Sequence, residues 1–416
     1  MRTIAFIPFI ISPFLVGACN SSLGPSTETL NDPYVSSVKP EEKPAAEITT
    51  LPLTKGQEAI LSSSLSFTTS LVPQLPKNIS YVISPLGIQY LIGMLGNAVN
   101  LDSQKDWLKI LFNNETSWKE VNQTLSVIRT SLPALDLSAT ISTANLFVYD
   151  KAYSGSISYK ETLESDYSAL VFKADFSDIT SVYSYINKWA STHTNEHINS
   201  PLSTIDSDIR ALFASSIYFS GNWKIPFNPN KTQRDFFTGI SNEKVEMPFL
   251  NTTSYFDYNE TSSAISMKIP YGNGRFIMTL WMPKTDNSIF SIDSIVNQKY
   301  SYSLLDLSLP IFQQEYTIDL KELLFALGSK MIDASFVQIG ETAAPLSKLE
   351  QTVKIAIDEK GTLASSVSAG QASGAPIDDE GEDRTPTVVK INRPFYYVLS
   401  DAQTKVVLLM GHMIGK

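Results

Sequence analysis

The stretch KGTLASSVSAGQASGAPIDDEGEDRTPT, residues 360–387, is small and polar throughout and has no apolar stripe that could seat it on a core. Ahead of it, Val353, Ile355 and Ile357 alternate with polar residues, the period of a half-buried strand. Beyond it, residues 389–399 (VKINRPFYYVL) and 404–410 (TKVVLLM) read as two buried strands. The whole segment from Glu359 to Pro394 is therefore a loop far longer than the usual connections of a compact domain. Such a loop either argues against the strand assignments or has a function of its own. We take the second option.

A chain of 416 residues, 43% hydrophobic and 18% charged, has enough apolar surface for a large core. Its net charge of -10 argues against a nucleic-acid backbone or an anionic membrane surface as the main partner. Residues 1–19 read as an export signal: Arg2 supplies the positive end, and an apolar run over 4–16, broken by Pro8 and Pro13, is too short for a permanent bilayer-spanning helix. The run closes in Val16-Gly17-Ala18-Cys19, which resembles a bacterial lipobox, where cleavage before the cysteine leaves that residue lipid-modified. Cys19 is the only cysteine, so no disulfide competes for it. The expected layout is a lipoprotein-type signal peptide over 1–18, a tether rich in Ser, Thr, Pro and Glu over 19–50, and one folded domain over 51–416. The expected location is the bacterial cell envelope, held by acyl chains on Cys19, with plain secretion as the alternative.

Along the domain, helical spacing predicts helices over 58–72, 86–95, 107–112, 118–132, 183–198 and 320–327, the first stopped by Pro73 and the last by Gly328. Strands are expected over 81–83, 141–149, 211–219, 236–237 and 245–249, with a hairpin over 264–283 turning at Gly272-Asn273-Gly274. Ser84 followed by Pro85 is a helix cap with proline in the first turn. Helices first and strands later, without regular alternation, give an α+β fold with antiparallel sheets.

Several of these segments resemble one family, the serpins, in the family's order. Asn78-Ile79-Ser80-Tyr81-Val82-Ile83-Ser84-Pro85-Leu86-Gly87-Ile88 is similar to its first strand-to-helix motif. Thr143-Ala144-Asn145-Leu146-Phe147, Ile186-Asn187-Lys188-Trp189 and the segment from Ser216 through Gly221 to Trp223 follow, and Asn392-Arg393-Pro394-Phe395 lies at the heart of the most specific match. The resemblance implies three antiparallel or mixed sheets, eight to nine helices and an exposed reactive-centre loop. It also implies a protease inhibitor rather than an enzyme, without cofactor and expected to be a monomer. In such an inhibitor the target protease cuts the loop and forms a covalent acyl-enzyme, and the freed loop enters the main sheet as a strand. A non-inhibitory relative that is merely cut as a substrate is the alternative.

The loop has the composition this requires. Glu359, Gly361 and Thr362 resemble the family's hinge, and alternation places Thr362, Ala364, Ser366, Ser368, Gly370, Ala372 and Gly374, all small, on one face. No proline interrupts this run before Pro376. The family's spacing puts the reactive bond at Ala375-Pro376; proline after a scissile bond suits few serine proteases, so Gly374-Ala375 and Pro376-Ile377 stay open. These sites suit an elastase-like or subtilisin-like protease. Arg384 would suit a trypsin-like one but lies far downstream, beyond the acidic run 378–383. The resemblance puts Ser84, Asn187, Gln351 and Trp223 in the region that opens for the loop. There Gly87 stands in place of a serine, Gln351 of a histidine and Ser215 of an asparagine, and in the loop Leu363 stands in place of a glutamate.

One motif points elsewhere. His193-Thr194-Asn195-Glu196-His197 matches H-x-x-E-H, which on a helix would aim two imidazoles at one zinc ion, as in inverted zinc peptidases. The only other histidine is His412, near the chain end, and the bland alternative is a pair of exposed side chains at a helix terminus. There is no G-x-S-x-G elbow for serine chemistry.

Overall fold

The computed structural model describes residues 50–112, 116–153, 155–199, 202, 211–285, 288–327, 348–362 and 385–415. In chain order these form α1 (Lys55–Leu71), a 3-10 turn (Val72–Gln74), β1 (Tyr81–Ile83), α2 (Pro85–Gly96), α3 (Leu101–Phe112), α4 (Trp118–Leu135), β2 (Ala139–Asp150), α5 (Ile157–Tyr167), β3 (Ala169–Ala174) and α6 (Ile179–His193). There follow β4 (Ala211–Asn222), a second 3-10 turn (Pro229–Lys231), β5 (Gln233–Thr238), β6 (Lys244–Glu260), β7 (Ala264–Pro270), β8 (Phe276–Pro283), α7 (Ile292–Asn297), β9 (Ser301–Pro310), β10 (Phe312–Asp319) and α8 (Leu320–Ala326). The chain closes with β11 (Lys348–Ile357), β12 (Gly361–Thr362), β13 (Thr387–Lys390), β14 (Phe395–Asp401) and β15 (Val407–Met413). Eight α-helices among the described residues and mixed sheets make the fold α+β.

Local chemistry sets many of the boundaries. Thr54 starts α1 with a capping box: its hydroxyl accepts from the Gln57 amide at 3.2 Å, and the Gln57 side chain accepts from the Thr54 amide at 2.9 Å. Ser84 caps α2, whose twelve residues are all buried. That burial makes α2 the central helix. The turn at Gly272 and Gly274 uses positive φ angles of 38° and 92°, as a tight hairpin requires. Two expectations need correction. The helix expected to reach residue 198 ends at His193, because Asn195 and Glu196 adopt left-handed φ angles of 52° and 65°. Residues 389–399 are not one strand: Pro394, which lacks an amide to donate, separates β13 from β14. β13 runs parallel to β9, while β14 lies antiparallel between β8 and β15.

Hydrogen bonding gives a six-stranded sheet in the order β10-β11-β12-β4-β2-β3 and a nine-stranded path β1-β15-β14-β8-β7-β6-β9-β13 with β5 on β6. The 17-residue β6 pairs with β5 at its start, β9 along its middle and β7 at its end, so it joins two smaller sheets into that one path. The six-stranded sheet is covered on both faces. Phe213, Ile217 and Phe219 of β4 enter the main core with α2, and Leu212 and Ala214 pack with Val182, Ile186, Trp189 and Ala190 of α6 in a second core. Those two covers decide which residues can line an opening in the sheet.

Candidate functional site

The hinge lies between two strands of the six-stranded sheet. Asp358 turns the chain out of β11: its Oδ1 accepts from the amides of Lys360 at 2.8 Å and Gly361 at 3.0 Å, and its own amide donates to the Gly361 carbonyl at 3.0 Å. The chain then re-enters the sheet as β12, antiparallel to both neighbours, with Thr362 opposite Ile357 of β11 and opposite Gly221 of β4. Thr362 is fully buried, and its hydroxyl is hydrogen-bonded to that of Tyr271. The amides of Trp223 and Phe227 donate to the carbonyls of Lys360 at 2.7 Å and Glu359 at 3.0 Å. The Trp223 indole donates to the Asp358 carbonyl at 2.9 Å and stacks on Tyr271 with ring centres 4.4 Å apart. Glu359 accepts from the Thr232 hydroxyl at 2.7 Å. Burial pushes the Tyr271 phenol well above its ordinary pKa, so it stays a neutral partner for Thr362.

Gly361 is required here by proximity rather than by an unusual turn. A Cβ at that position would lie 1.9 Å from the Gly221 carbonyl oxygen, so only glycine lets the two backbones approach this closely. At the opposite end of the sheet β11 and β4 pair directly, in parallel, through Lys348 with Leu212 and Leu349 with Phe213. The two strands are thus neighbours at one end and have one strand between them at the other. That divergence defines a slot whose mouth the hinge already fills.

On the α2 side of the slot, Gln351 clamps the start of α2. Its Oε1 accepts from the Ser84 amide at 2.8 Å, and its Nε2 donates to the Ser84 carbonyl at 3.0 Å. The Ser84 hydroxyl donates to the Leu408 carbonyl at 2.6 Å, linking the clamp to β15. Gly87 completes the fit, since a Cβ there would come within 2.6 Å of Gln351 Nε2. Gly87 and Gln351 therefore act as a pair in which the amide occupies space that a side chain at 87 would need. Ser215 of β4 is buried, and its hydroxyl has no hydrogen-bond partner among the described residues. Asn187 does not join Ser84 and Gln351. It belongs to α6, which covers the other face of the sheet, and its Oδ1 is buried without a partner among the described residues.

The zinc reading of His193, Glu196 and His197 is overturned by the backbone. With α6 ended at His193, His197 is not one helical turn further along the same face. His193 Nδ1 lies 2.8 Å from the Trp189 carbonyl, while the His197 ring stacks on Tyr218 of β4 with centres 5.5 Å apart and planes 15° apart. Among the described residues no group of three or more His, Cys, Asp or Glu side chains could hold a metal ion. Cys19, Ala364, Ser366, Ser368, Gly374, Ala375, Pro376, Ile377, Arg384 and the acidic run 378–383 lie outside the described residues. Tyr271 and Gly221 were not legible as hinge partners, because they meet Thr362 and Gly361 only through sheet register. No local pattern marks either one.

The family model described as Serpin (serine protease inhibitor) matches residues 62–415. Human neuroserpin is 24% identical over 355 residues, covering 80% of this chain and 85% of neuroserpin. An uncharacterized serpin-like protein of Thermococcus kodakarensis is 24% identical over 439 residues, covering 100% of this chain and 99% of its own length. Among solved structures, the thermophilic serpin tengpin in its native state superposes with a TM-score of 0.74 at 23% identity, covering 88% of this chain and 96% of tengpin.

Proposed function

The chain belongs to the serpin family, a family of protease inhibitors rather than catalytic enzymes, and from that premise we propose that it traps a serine protease irreversibly by inserting its cleaved loop into the slot between β11 and β4. The observation that carries this reading is the buried hinge, already seated as the first two residues of a central strand. If the inserted strand keeps the register of Gly361 and Thr362, Ala364, Ser366 and Ser368 would fall on the α2 side with Thr362, and Ser368 would come opposite Gln351 on one side and Ser215 on the other. A hydroxyl there supplies a partner for the orphaned Ser215 side chain. Leu363 would fall on the opposite face, between Ser220 and Ala356, where leucine in place of a glutamate adds no charge to the slot. In the inserted state residues 363–369 would take the rungs between the hinge and the two direct pairs, Leu349 with Phe213 and Lys348 with Leu212, which deeper entry would part.

Each new backbone bond contributes about 1 kcal/mol net, and a central strand makes them on both sides. The native state is therefore metastable toward insertion, and the energy released distorts the acyl-linked protease before water can free it. Small residues around Ala375-Pro376 suit an elastase-like or subtilisin-like target. Cys19 is the proposed lipid anchor that holds a monomeric inhibitor at the cell envelope. Palmitate labelling that persists in a Cys19→Ser variant would remove that assignment.

The test is incubation with elastase-, subtilisin-, trypsin- and papain-like proteases, followed by denaturing electrophoresis and mass spectrometry of the released C-terminal peptide. A protease-sized covalent adduct is expected, with a scissile bond between Gly374 and Ile377. The cleaved chain should melt well above the intact one. Cleavage without an adduct, and with equal melting temperatures, selects the non-inhibitory alternative.

A further inference from the structure

The two histidines of the H-x-x-E-H motif do not share one helix face, and the second lies against β4, one of the two strands that border the slot. The segment after α6 is fixed tightly: the Thr194 amide and hydroxyl both donate to the Ala190 carbonyl, at 2.9 and 2.7 Å, and the Ile198 amide donates to the Thr194 hydroxyl at 2.9 Å. Ile198 is buried in the α6 core. This anchoring presses His197 onto Tyr218 of β4, with its Nε2 buried and without a partner among the described residues. On the other side of the slot, Lys354 of β11 pairs with Glu315 of β10 at 3.6 Å, and its positive charge is felt at the His197 ring. Tyr218 and Lys354 occupy equivalent rungs: the register that places Thr362 between Gly221 and Ile357 would place Ser365 between Tyr218 and Lys354.

We propose that His197 is a positioning residue for loop insertion, a clasp that rests on β4 beside β11 and sets the rate at which the slot opens. This rests on the insertion mechanism proposed above. Entry of a strand moves β4 and β11 apart by about 4.8 Å, which draws Lys354 away from the imidazole and admits water around it. Among the described residues, the titratable groups that bear on His197 are Lys354 of β11, with its partner Glu315 of β10, and the Tyr218 phenol of β4; His193 and Glu196 on its own segment are exposed. In the closed sheet, burial first and the Lys354 ammonium second hold the imidazole below its ordinary value of 6.5. Opening relieves both effects, so a proton favours the open sheet. Insertion is therefore faster as pH falls through the ordinary histidine range.

The probe is a synthetic peptide with the sequence of residues 361–374, whose uptake by the intact, full chain is followed by fluorescence polarisation between about pH 5.5 and 8. The parent protein is expected to take it up several-fold faster at the acidic end. His197→Phe keeps the stack without a titrating nitrogen and should show slow uptake with a flat profile; His197→Gln should flatten the profile as well. His197→Ala removes the stack and should be fast at every pH. A pH profile in His197→Phe identical to the parent's overturns the clasp alone. Absence of uptake in every variant, with equal melting of cleaved and intact protein, overturns the insertion mechanism and the clasp with it.

Discussion

Thr362→Arg puts the proposed mechanism under the most direct strain. Thr362 is fully buried between Ile357 and Gly221, and its one polar atom is matched by the Tyr271 hydroxyl. The nearest carboxylates along the chain are already engaged: Asp358 accepts two backbone amides, and Glu359 accepts from Thr232. An arginine would therefore bury an unmatched guanidinium, at a cost of about 3–5 kcal/mol. The native hinge avoids that cost by withdrawing from the sheet, but a cleaved loop cannot insert without meeting it. Trapping is a race between insertion and hydrolysis of the acyl-enzyme, and each 1.4 kcal/mol on one competitor is a factor of about ten. If the penalty is fully felt as the strand enters, insertion slows by roughly 100- to 1000-fold or more, and hydrolysis wins. The assay is titration of active protease against inhibitor, with gel quantification of adduct and of free cleaved chain. Thr362→Arg should yield cleaved chain and active protease, whereas Thr362→Ser, which keeps the hydroxyl for Tyr271, should trap like the parent. Undiminished trapping by Thr362→Arg would refute the reasoning, because no strand carrying that residue could then be buried at this position.

Three further outcomes follow from other sites. Gly87→Ser should push the Gln351 amide off the Ser84 backbone and cost about 1–3 kcal/mol in urea unfolding; adding Gln351→His should recover part of that loss, and strict additivity would show that the two positions are not coupled. Asp401→Ala takes the carboxylate from the Arg275 guanidinium, which keeps its hydrogen bond to Gln403, and since both members of that ion pair are fully buried it should lower stability by about 3–5 kcal/mol. Burial holds His412 down to about 4, below the 6.5 of an ordinary histidine, so the unfolded chain takes up the proton first as pH falls. Its contribution is complete above about pH 6.5 and is lost by pH 4, a loss of about 3 kcal/mol. His412→Phe, which retains the stack on Tyr396, should show a smaller drop in the urea midpoint between about pH 7 and 4.5 than the parent. Equal drops would show that other groups account for the acid sensitivity.

How far the sequence speaks depends on the range over which each feature is set. Tyr81 to Ile83, the Ser84 cap, the α4 start at Trp118 and the Gly272 hairpin follow from spacing and turn chemistry within a few residues, and the structure places them where those rules do. The α6 boundary was missed because only the left-handed backbone at Asn195 and Glu196 stops a sequence that remains compatible with helix. Pro394 was visible, but partner choice was not: β13 joins β9 in parallel while β14 joins β8 and β15, and strand partners are set by the whole sheet.

The hinge shows the same division. That residues 361–374 are small enough to become a buried strand is a property of composition alone, and so is the proline-free run that ends at Pro376. The sequence also exposed the departures at Gly87 and Gln351 as separate oddities. Only the tertiary structure made them one feature, because residues 264 positions apart compete for the same few ångströms. It likewise turned Gly361 from a flexible joint into a close backbone approach, and it gave His197 an aromatic partner on β4 in place of a metal. Composition can say what a segment is able to become; which groups it must pass, and which hold it back, depends on contacts between distant parts of the chain.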